Sequence, residues 1–280
     1  MNYRHAYHAA NFADVVKHAV LARILTYLNH KPAPYRVVDV HAGIGLYDLT
    51  GVEAGKTGEW EGGLGKVLTA DLSEPLRAFL DPWLKVVHAE NADVIRYYPG
   101  SPLVAVRMTR HEDALIFNEL HPEDFELLGQ AIGRDRRVKC LQLDAYTALK
   151  SLLPPPERRG VVLIDPPYEA IDEFQKLAKG LAEAVKRFAT GVFMIWYPIK
   201  SQENVEGLYS AITEQGIKKV LRLELWTEHL LQAKGLVGTG LLVINPPWTL
   251  CDDAKAVWPE LIEILASGPG AGGHVGWLVE

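Results

Sequence analysis

Residues 161–168 of this chain spell Val-Val-Leu-Ile-Asp-Pro-Pro-Tyr, and this stretch decides how the rest of the sequence is interpreted. The first four residues are aliphatic or β-branched, which is typical of a short buried strand. The tetrapeptide that follows would then lie in the loop at the carboxyl end of that strand. Open α/β sheets bind their ligands at this edge.

The chemistry of the loop suits an amino group on a planar ring. Asp165 supplies an acceptor for the amine, and the carbonyl oxygen of Pro166 is free to accept a second hydrogen bond in a loop that the prolines stiffen. Tyr168 offers a flat face on which a base can stack. We therefore predict an amine methyltransferase with Asp165, Pro166 and Tyr168 as catalytic residues. A Pro-rich turn that only ends a strand is the alternative.

Length and composition are those of a soluble globular protein. The 280 residues, 48% hydrophobic and 23% charged, suffice for one large α/β domain with an insertion or for two domains. Two cysteines, Cys140 and Cys251, make neither a disulfide framework nor a metal site, which favours a reducing compartment. No apolar run approaches the roughly 18 residues of a membrane span, and the start does not resemble a signal peptide. We expect a cytoplasmic protein that does not bind a membrane.

The net charge of −6 argues against a nucleic-acid partner, but the basic residues are clustered. The clusters lie at residues 134–139, 158–159, 186–187 and 218–222. A local basic face can bind phosphates whatever the overall charge, although such clusters are also common on ordinary surfaces. The charge pattern alone therefore leaves the partner open.

Apolar runs alternate with helical stretches along the chain, which predicts a mainly parallel sheet covered on both faces. The seven predicted strands are Arg36–Val40, Ala114–Glu119, Val138–Leu143, Val161–Ile164, Gly191–Tyr197, Lys218–Leu225 and Leu236–Ile244. The connection between the last two is too short for a helical crossover, so we expect an antiparallel hairpin at the sheet edge. Residues 268–273 are interpreted as a Gly-rich tail.

A turn or an acid follows each of four successive predicted strands. Gly43 and Gly45 allow a sharp turn and a close approach of the backbone to a ligand. Glu119 could accept hydrogen bonds from ribose hydroxyls, Asp144 could accept from an adenine amino group, and Asp165 completes the series. Any single acid could be a helix cap, but four in series predict a nucleoside site beside an amine site.

Glu119 lies 74 positions after Gly45, against roughly 20 in a simple βαβ unit. We therefore predict a small, mostly helical subdomain at residues 46–98, inserted into a methyltransferase domain formed by residues 1–45 and 99–280. An insertion at this edge would overhang the substrate. Gripping the substrate and a purely structural role remain equally open.

Motifs spread over nearly the whole chain resemble those of the bacterial RlmJ family. They are Tyr3–Ala9, Asp14–His18, His41–Gly45, Arg96–Pro102, Glu119–Pro122, Arg158–Gly160, Asp165–Glu169, Arg187–Gly191, Trp196–Pro198 and Ile244–Trp248. Members of the family methylate N6 of an adenine, position 2030, in 23S ribosomal RNA with S-adenosylmethionine as methyl donor. The resemblance implies a Rossmann-like class I S-adenosylmethionine-dependent methyltransferase fold, with a seven-stranded, mostly parallel sheet. It also implies 23S rRNA as partner, protein-free or in an early assembly intermediate, and we expect a monomer.

The resemblance also assigns roles to residues. Those implied to bind S-adenosylmethionine are His18, His41, Gly43, Gly45, Ser101, Glu119, Asp144, Ala145 and Asp165, while Tyr3, Arg4 and Tyr168 are implied to contact the RNA. Ala145 stands where the family has glycine, and a positive φ there would be strained. We predict no metal site, because His5 and His8 lack acidic or cysteine partners at ligand spacing.

Two alternative functions and one alternative loop remain. The Asp-Pro-Pro-Tyr loop would serve equally well in a DNA adenine-N6 methyltransferase. A non-catalytic nucleic-acid-binding protein involved in DNA utilisation is the third hypothesis. The loop Asn245-Pro246-Pro247-Trp248 also follows an apolar run, but it lies on the hairpin and away from the Gly turn, so we interpret it as structural.

Overall fold

The computed structural model describes residues 5–168, 173–200, 202–230 and 236–280. Ten strands lie in these ranges: β1 (Arg36–Asp39), β2 (Leu46–Asp48), β3 (Tyr97–Pro99), β4 (Ala114–Asn118), β5 (Val138–Leu141), β6 (Gly160–Ile164), β7 (Val192–Ile199), β8 (Val220–Trp226), β9 (Gly238–Ile244) and β10 (Gly272–Val279). The α-helices are α1 (Phe12–Asn29), α2 (Val52–Thr57), α3 (Leu64–Thr69), α4 (Glu74–Ala89), α5 (Ser101–Met108), α6 (Pro122–Ile132), α7 (Ala145–Leu152), α8 (Glu173–Arg187), α9 (Gln202–Glu214) and α10 (Leu250–Leu265).

Eight of the strands form one sheet in the order β10-β8-β9-β7-β6-β1-β4-β5. The five strands from β7 to β5 in this order are mutually parallel, whereas β9 runs antiparallel to both of its neighbours. All five residues of β6 are buried, as expected for a central strand with helices on both faces. The predicted class I α/β fold, with its antiparallel C-terminal strands, is confirmed.

The predicted number of seven strands is wrong, because β10 pairs antiparallel with β8 and forms the true edge of the sheet. The predicted hairpin of β8 and β9 is therefore not at the edge, and part of the predicted Gly-rich tail belongs to a strand. A side chain at Gly273 would press on the carbonyl oxygen of Glu224, and one at Gly272 would meet the Trp226 ring. Close packing requires glycine here, and glycine is the residue that weakens a strand pattern in the sequence.

Helix α1 is buried on nearly all sides between α4, α5 and α10 and the strands β6 and β9. Asn11 caps its first turn by accepting from the backbone N–H groups of Ala13 and Asp14. Three polar residues of this helix, Asp14, Lys17 and His18, are nevertheless buried. Buried polar groups require partners, so these three side chains point to a site rather than to a plain core.

Residues 46–98 begin and end with β2 and β3, which pair with each other as a separate antiparallel ribbon. Helices α2, α3 and α4 fall within this segment, which the sequence predicts to be mostly helical. Leu80 and Trp83 of α4 are fully buried in the core that α1 and α10 share. The division into a main domain and a subdomain stays a prediction.

Strand β1 lies between β4 and β6, so the order of strands reverses at β1. The carboxyl ends of β6, β1, β4 and β5 are consequently side by side. A crevice for a ligand is expected at such a point. In the described part of the chain, no helix is both long enough and apolar enough to span a membrane.

Candidate active site

A cavity of about 430 Å³ opens at the carboxyl ends of these four strands. Its lining includes most of the residues proposed from the sequence: His18, His41, Gly43, Ser101, Glu119, Asp144, Ala145, Asp165 and Pro166. Gly45 and Tyr168 are close to it in the chain but are not among the described residues that line it. Tyr3 and Arg4 lie outside the described residues, so their predicted contact with RNA stays a prediction.

The Gly turn after β1 holds the carboxylate of Glu119 at the rim. Gly43 has a φ of +62°, and a Cβ there would lie 2.5 Å from the hydroxyl oxygen of Tyr47. Its N–H donates to Oε2 of Glu119 over 2.9 Å, while the N–H of His121 donates to Oε1 over 2.8 Å. Burial raises the pKa of Glu119. Gly45, at φ +80°, accepts from the N–H of Gly100 and so shapes the turn from behind the cavity.

Asp144 is both a lining residue and a helix cap. Its Oδ1 accepts from the N–H of Thr147 over 3.0 Å and caps α7. Ala145 is the first residue of α7 and is 8% exposed. It is not among the described residues with positive φ, so the strain considered for an alanine at this position is absent.

Beneath the Gly turn, a buried carboxylate that sequence analysis missed holds Ser101. The hydroxyl of Ser101 donates to Oδ2 of Asp39 over 2.6 Å, and the N–H of His41 donates to Oδ1 over 3.1 Å. Burial raises the pKa of Asp39 to about 6, against the opposing effect of these two hydrogen bonds. Asp39 is the last residue of β1, and a carboxylate ending an apolar strand was the available signal.

His41 connects the Gly turn to the Asp165 loop. Its Nδ1 accepts from the backbone N–H of Asp165 over 3.1 Å, which leaves the proton of the neutral ring on Nε2. Burial lowers the pKa of His41 to about 4, so the ring is neutral at pH 7. Two loops that are 124 positions apart in sequence are thus fixed to each other at the cavity.

Lys17 is the most important residue that sequence analysis missed. Its Nζ lies 2.6 Å from Oδ2 of Asp165 and 2.9 Å from Oδ1 of Asp14. Burial alone would lower the pKa of Lys17, but the two carboxylates raise it well above the usual value, so the ammonium stays charged. Oδ2 of Asp14 accepts from His5 over 2.9 Å, and His5 lines the cavity. The spacing of Asp14, Lys17 and His18 within an apolar helix was the signal that could have revealed this cluster.

His18 is held from behind by Tyr98, another residue that was missed. The hydroxyl of Tyr98 lies 2.6 Å from Nδ1 of His18, and both side chains are almost completely buried. Nε2 of His18 has no hydrogen-bond partner in the described part of the protein, although the side chain lines the cavity. Burial lowers the pKa of His18 to about 3, so its ring is neutral. A buried unpaired nitrogen at a cavity wall is a position where a ligand would bind.

Tyr168 follows Pro167, with a φ of +51°. Its hydroxyl donates to the carbonyl oxygen of Trp196 over 2.5 Å, and its ring centroid lies 5.1 Å from that of Phe174 and 5.8 Å from that of Trp196. The tyrosine ring is therefore fixed beside the loop. Its predicted role in stacking a base stays a prediction.

The alternative loop, Asn245-Pro246-Pro247-Trp248, lies at the other end of the sheet from Asp165. Ile244 pairs with Phe193 near the start of β7, so Asn245 lies at the amino ends of the parallel strands. The side-chain amide of Asn245 donates to the carbonyl oxygens of Ala189 and Gly191 over 3.0 and 2.9 Å. These contacts support the structural interpretation of this asparagine.

The chain is similar to known proteins in both sequence and structure. Residues 32–279 match the family described as ribosomal RNA large subunit methyltransferase D, RlmJ. The ribosomal RNA large subunit methyltransferase J of Escherichia coli (strain K12) is 39% identical over 100% of this chain and 99% of its own length. The protein of the same name from Haemophilus influenzae is 37% identical over 100% of this chain and 98% of its own.

A crystal structure of a protein from Legionella pneumophila, 34% identical, has a TM-score of 0.86 and covers 96% of this chain and 98% of that one. A probable spermidine synthase from Corynebacterium glutamicum, only 12% identical with a TM-score of 0.50, shares the fold alone. The family match and the two full-length relatives agree with the resemblance carried by the motifs. This chain belongs to the RlmJ family of ribosomal RNA large subunit methyltransferases.

Proposed function

We propose that this protein transfers a methyl group from S-adenosylmethionine to N6 of one adenine in 23S rRNA. The observation that carries the proposal is the pairing of Asp165 with Lys17 at the mouth of a cavity large enough for a nucleoside. Family membership supports methylation of large-subunit ribosomal RNA. The Asp165-Pro166 loop supports the amine of adenine as acceptor, and adenine 2030 follows only from the resemblance.

The cavity fits S-adenosylmethionine by its donors and acceptors. Gly43 provides a wall without a side chain, and Glu119 and Asp144 provide carboxylates for ribose hydroxyls and an adenine amino group. Nε2 of His18 offers an unpaired buried nitrogen to the amino-acid end. When bound, S-adenosylmethionine supplies an electrophilic methyl group next to Asp165.

Asp165 is arranged to hold the target amine. Lys17 binds Oδ2 and His41 holds the backbone N–H, whereas Oδ1 accepts no hydrogen bond from the described residues. Oδ1 and the carbonyl oxygen of Pro166 can therefore accept the two N6 protons. These two bonds orient the nitrogen lone pair toward the methyl group, and positioning of this kind supplies most of the acceleration in such a reaction.

No base need act before the transfer. The neutral nitrogen would form the new N–C bond with the methyl group that S-adenosylmethionine supplies, and the electron pair of the broken S–C bond would stay on sulfur. The methylated nitrogen then loses one proton, and Asp165 accepts it. The target adenine must leave its stack to reach this loop, at a cost that is smallest in an unpaired strand, and Tyr168 is proposed to stack against it. Tyr3 and Arg4 are proposed to contact the RNA beside it.

We further propose that the protein acts as a monomer in the cytoplasm, on protein-free 23S rRNA or an early assembly intermediate. A ribosomal RNA substrate supports that compartment. The intact set of acids at the strand ends disfavours a non-catalytic nucleic-acid-binding protein.

The test is to incubate the purified protein with labelled S-adenosylmethionine and either protein-free 23S rRNA or duplex DNA, and to identify the modified nucleoside by mass spectrometry. We expect N6-methyladenosine at one position of the RNA. Labelling of deoxyadenosine would support the DNA alternative, and absence of transfer to either substrate would refute methylation of naked nucleic acid.

A further inference from the structure

A second cavity, of about 280 Å³, lies at the other end of α1 from the candidate active site. One side is a stripe of α1 that includes Arg23 and Tyr27, continued after the helix by His30 and Lys31, and the other side is the loop of Pro247 and Trp248. The Trp248 side chain is 80% exposed, an unusual position for the largest aromatic residue. The proposed function uses none of these residues.

This groove is too far from the catalytic loop to contact the same small molecule. At a rise of 1.5 Å per residue, His30 lies roughly 20 Å along α1 from Lys17. Ile244, just before the Trp248 loop, pairs with Phe193 near the start of β7, which is the opposite end of the sheet from Asp165. A ligand that reaches both places must be a polymer.

Basic segments that are distant in sequence meet at this end of the sheet. The N–H of Asn245 donates to the carbonyl oxygen of Lys219, and its side chain binds the carbonyl oxygen of Ala189, two residues after Arg187. The hydroxyl of Thr190 in turn donates to the carbonyl oxygen of Arg158. Three of the four basic clusters in the sequence, which the proposed function leaves unexplained, therefore border the loop of Trp248.

We call the exposed residues of this region the amino-end surface; it consists of Trp248, Lys31, Arg158, Lys186, Arg187, Lys218 and Lys219. Two neighbouring acids are already in ion pairs, Asp253 with Arg23 over 3.0 Å and Glu157 with Arg36 over 2.8 Å. The chain as a whole has a net charge of −6, so the positive charge around the exposed Trp248 ring is concentrated at this surface.

We propose that the amino-end surface is a second RNA-binding site, which holds a single-stranded segment of the substrate at a distance from the target adenine. The inference rests on the proposed function, since it takes the polymer to be the substrate RNA. An exposed indole stacks any base, and the surrounding Lys and Arg side chains bind phosphates, which is the usual chemistry of single-strand binding. A protein partner would instead need a broad apolar patch around Trp248, where the structure has charges.

The test compares two RNAs by fluorescence anisotropy: a short hairpin that contains the target adenine, and a longer fragment that extends it by single-stranded flanks. The variants are Trp248→Ala and Lys218→Glu, chosen over Lys219 because Lys219 has a φ of +55°. The matched controls are Trp277→Ala and Lys85→Glu, whose side chains are 42% and 74% exposed. Methyl transfer to the hairpin is measured for every protein.

We expect Trp248→Ala to weaken binding of the long RNA by about 5- to 150-fold, the range that loss of one stacked base produces. Lys218→Glu should also weaken it, and the negative slope of log K against log salt should become less steep by about 0.7 for a lost phosphate contact. Both variants should bind and methylate the hairpin like the wild type, and the controls should match the wild type on both RNAs.

Unchanged affinity of both variants for the long RNA would overturn the inference and would indicate that this surface serves a protein partner or none. Normal methylation of the hairpin in that case would leave the proposed function standing. If the wild type binds neither RNA, both proposals fail.

Discussion

The ammonium of Lys17 lies 2.6 Å from the carboxylate of Asp165, although 148 positions separate the two residues in the chain. The same ammonium lies 2.9 Å from Asp14, so it is shared between a carboxylate of its own helix and one of the catalytic loop. Helix α1 is thereby joined to the end of β6 by charge as well as by packing. In the proposed reaction this pair positions Asp165 for the substrate amine, and the first two predictions concern its two members.

Asp165→Ala removes the acceptor of the amine without touching the Gly turn or Glu119. Methyl transfer to RNA should fall by at least about 10²-fold, the usual scale for loss of a key polar group in a catalytic site. Single-turnover rates measure this, and calorimetry should show S-adenosylmethionine affinity within a few-fold of the wild type. Asn245→Ala in the alternative loop is the control and should leave the rate nearly unchanged. If the folded Asn245 variant were inactive and the Asp165 variant active, the active site would lie elsewhere.

Lys17→Met should lower both stability and catalysis, because it leaves the carboxylates of Asp14 and Asp165 without their shared cation. Breaking a buried pair by removing one partner typically costs about 3–5 kcal/mol. Urea unfolding measures the stability, and kcat on RNA measures the catalytic effect. Lys17→Arg restores the charge with a different shape. It should therefore recover a larger share of the lost stability than of the lost kcat. Wild-type rates in the methionine variant would show that the pair does not position Asp165.

Glu119→Ala should weaken binding of S-adenosylmethionine by about 1–3 kcal/mol, the range for a hydrogen bond to a charged group. Calorimetry on the folded variant tests this directly. The carboxylate also accepts from Gly43 and His121 with one oxygen each, so Glu119→Gln, which keeps the side-chain length and one of the two acceptors, is a control for the shape of the turn. An unchanged Kd in the alanine variant would refute the role of Glu119 in the cofactor site.

Asp39→Asn should change how stability depends on pH. Burial raises the folded-state pKa of Asp39 to about 6, so the folded protein binds this proton more tightly than the unfolded chain does. The stabilisation that results is complete below about pH 4 and is lost as the pH rises to about 6, a change of about 3 kcal/mol at 1.36 kcal/mol per pKa unit.

The asparagine variant has no such proton to lose. Relative to the wild type, it should therefore become more stable as the pH rises from 4 to 6, and the difference should be constant above that range. Urea unfolding at pH 4, 5, 6 and 7 measures it. The low pKa values of His18 and His41 have the opposite effect in both proteins and cancel in the comparison. A difference that does not vary with pH would show that Asp39 is ionised in the fold throughout.

The parts of the site that sequence analysis predicted are those with a local pattern. Glu119, Asp144 and Asp165 each follow an apolar run, and the ends of parallel strands meet wherever such a sheet forms. Tyr98 has no comparable local pattern, and the polar spacing of Asp14, Lys17 and His18 in an apolar helix indicates a buried cluster without indicating its partner. The roles of Lys17 and Tyr98 depend on contacts with Asp165 and His18, and such contacts appear only after α1 has packed against the sheet.

The fold was mispredicted at β10 for a different reason. Gly272 and Gly273 are required there because the backbone of β8 and the Trp226 ring are too close for side chains. The same glycines reduce the apolar alternation by which a strand is recognised in a sequence. The glycines that allow close packing at this edge of the sheet therefore make β10 hard to recognise from the sequence.

The buried charges of α1 also set an order of events during synthesis. Lys17 leaves the ribosome long before Asp165 exists, and at roughly 5–20 residues per second the interval between them is roughly 7–30 s. During that time the helix carries an ammonium and a histidine that cannot be buried favourably, because Asp165 after β6 and Tyr98 of β3 have not both been made. Helix α1 is therefore expected to dock late, and the cluster of Asp14, Lys17 and Asp165 is complete only when β6 has joined the sheet. An enzyme of this design has no active nascent fragment.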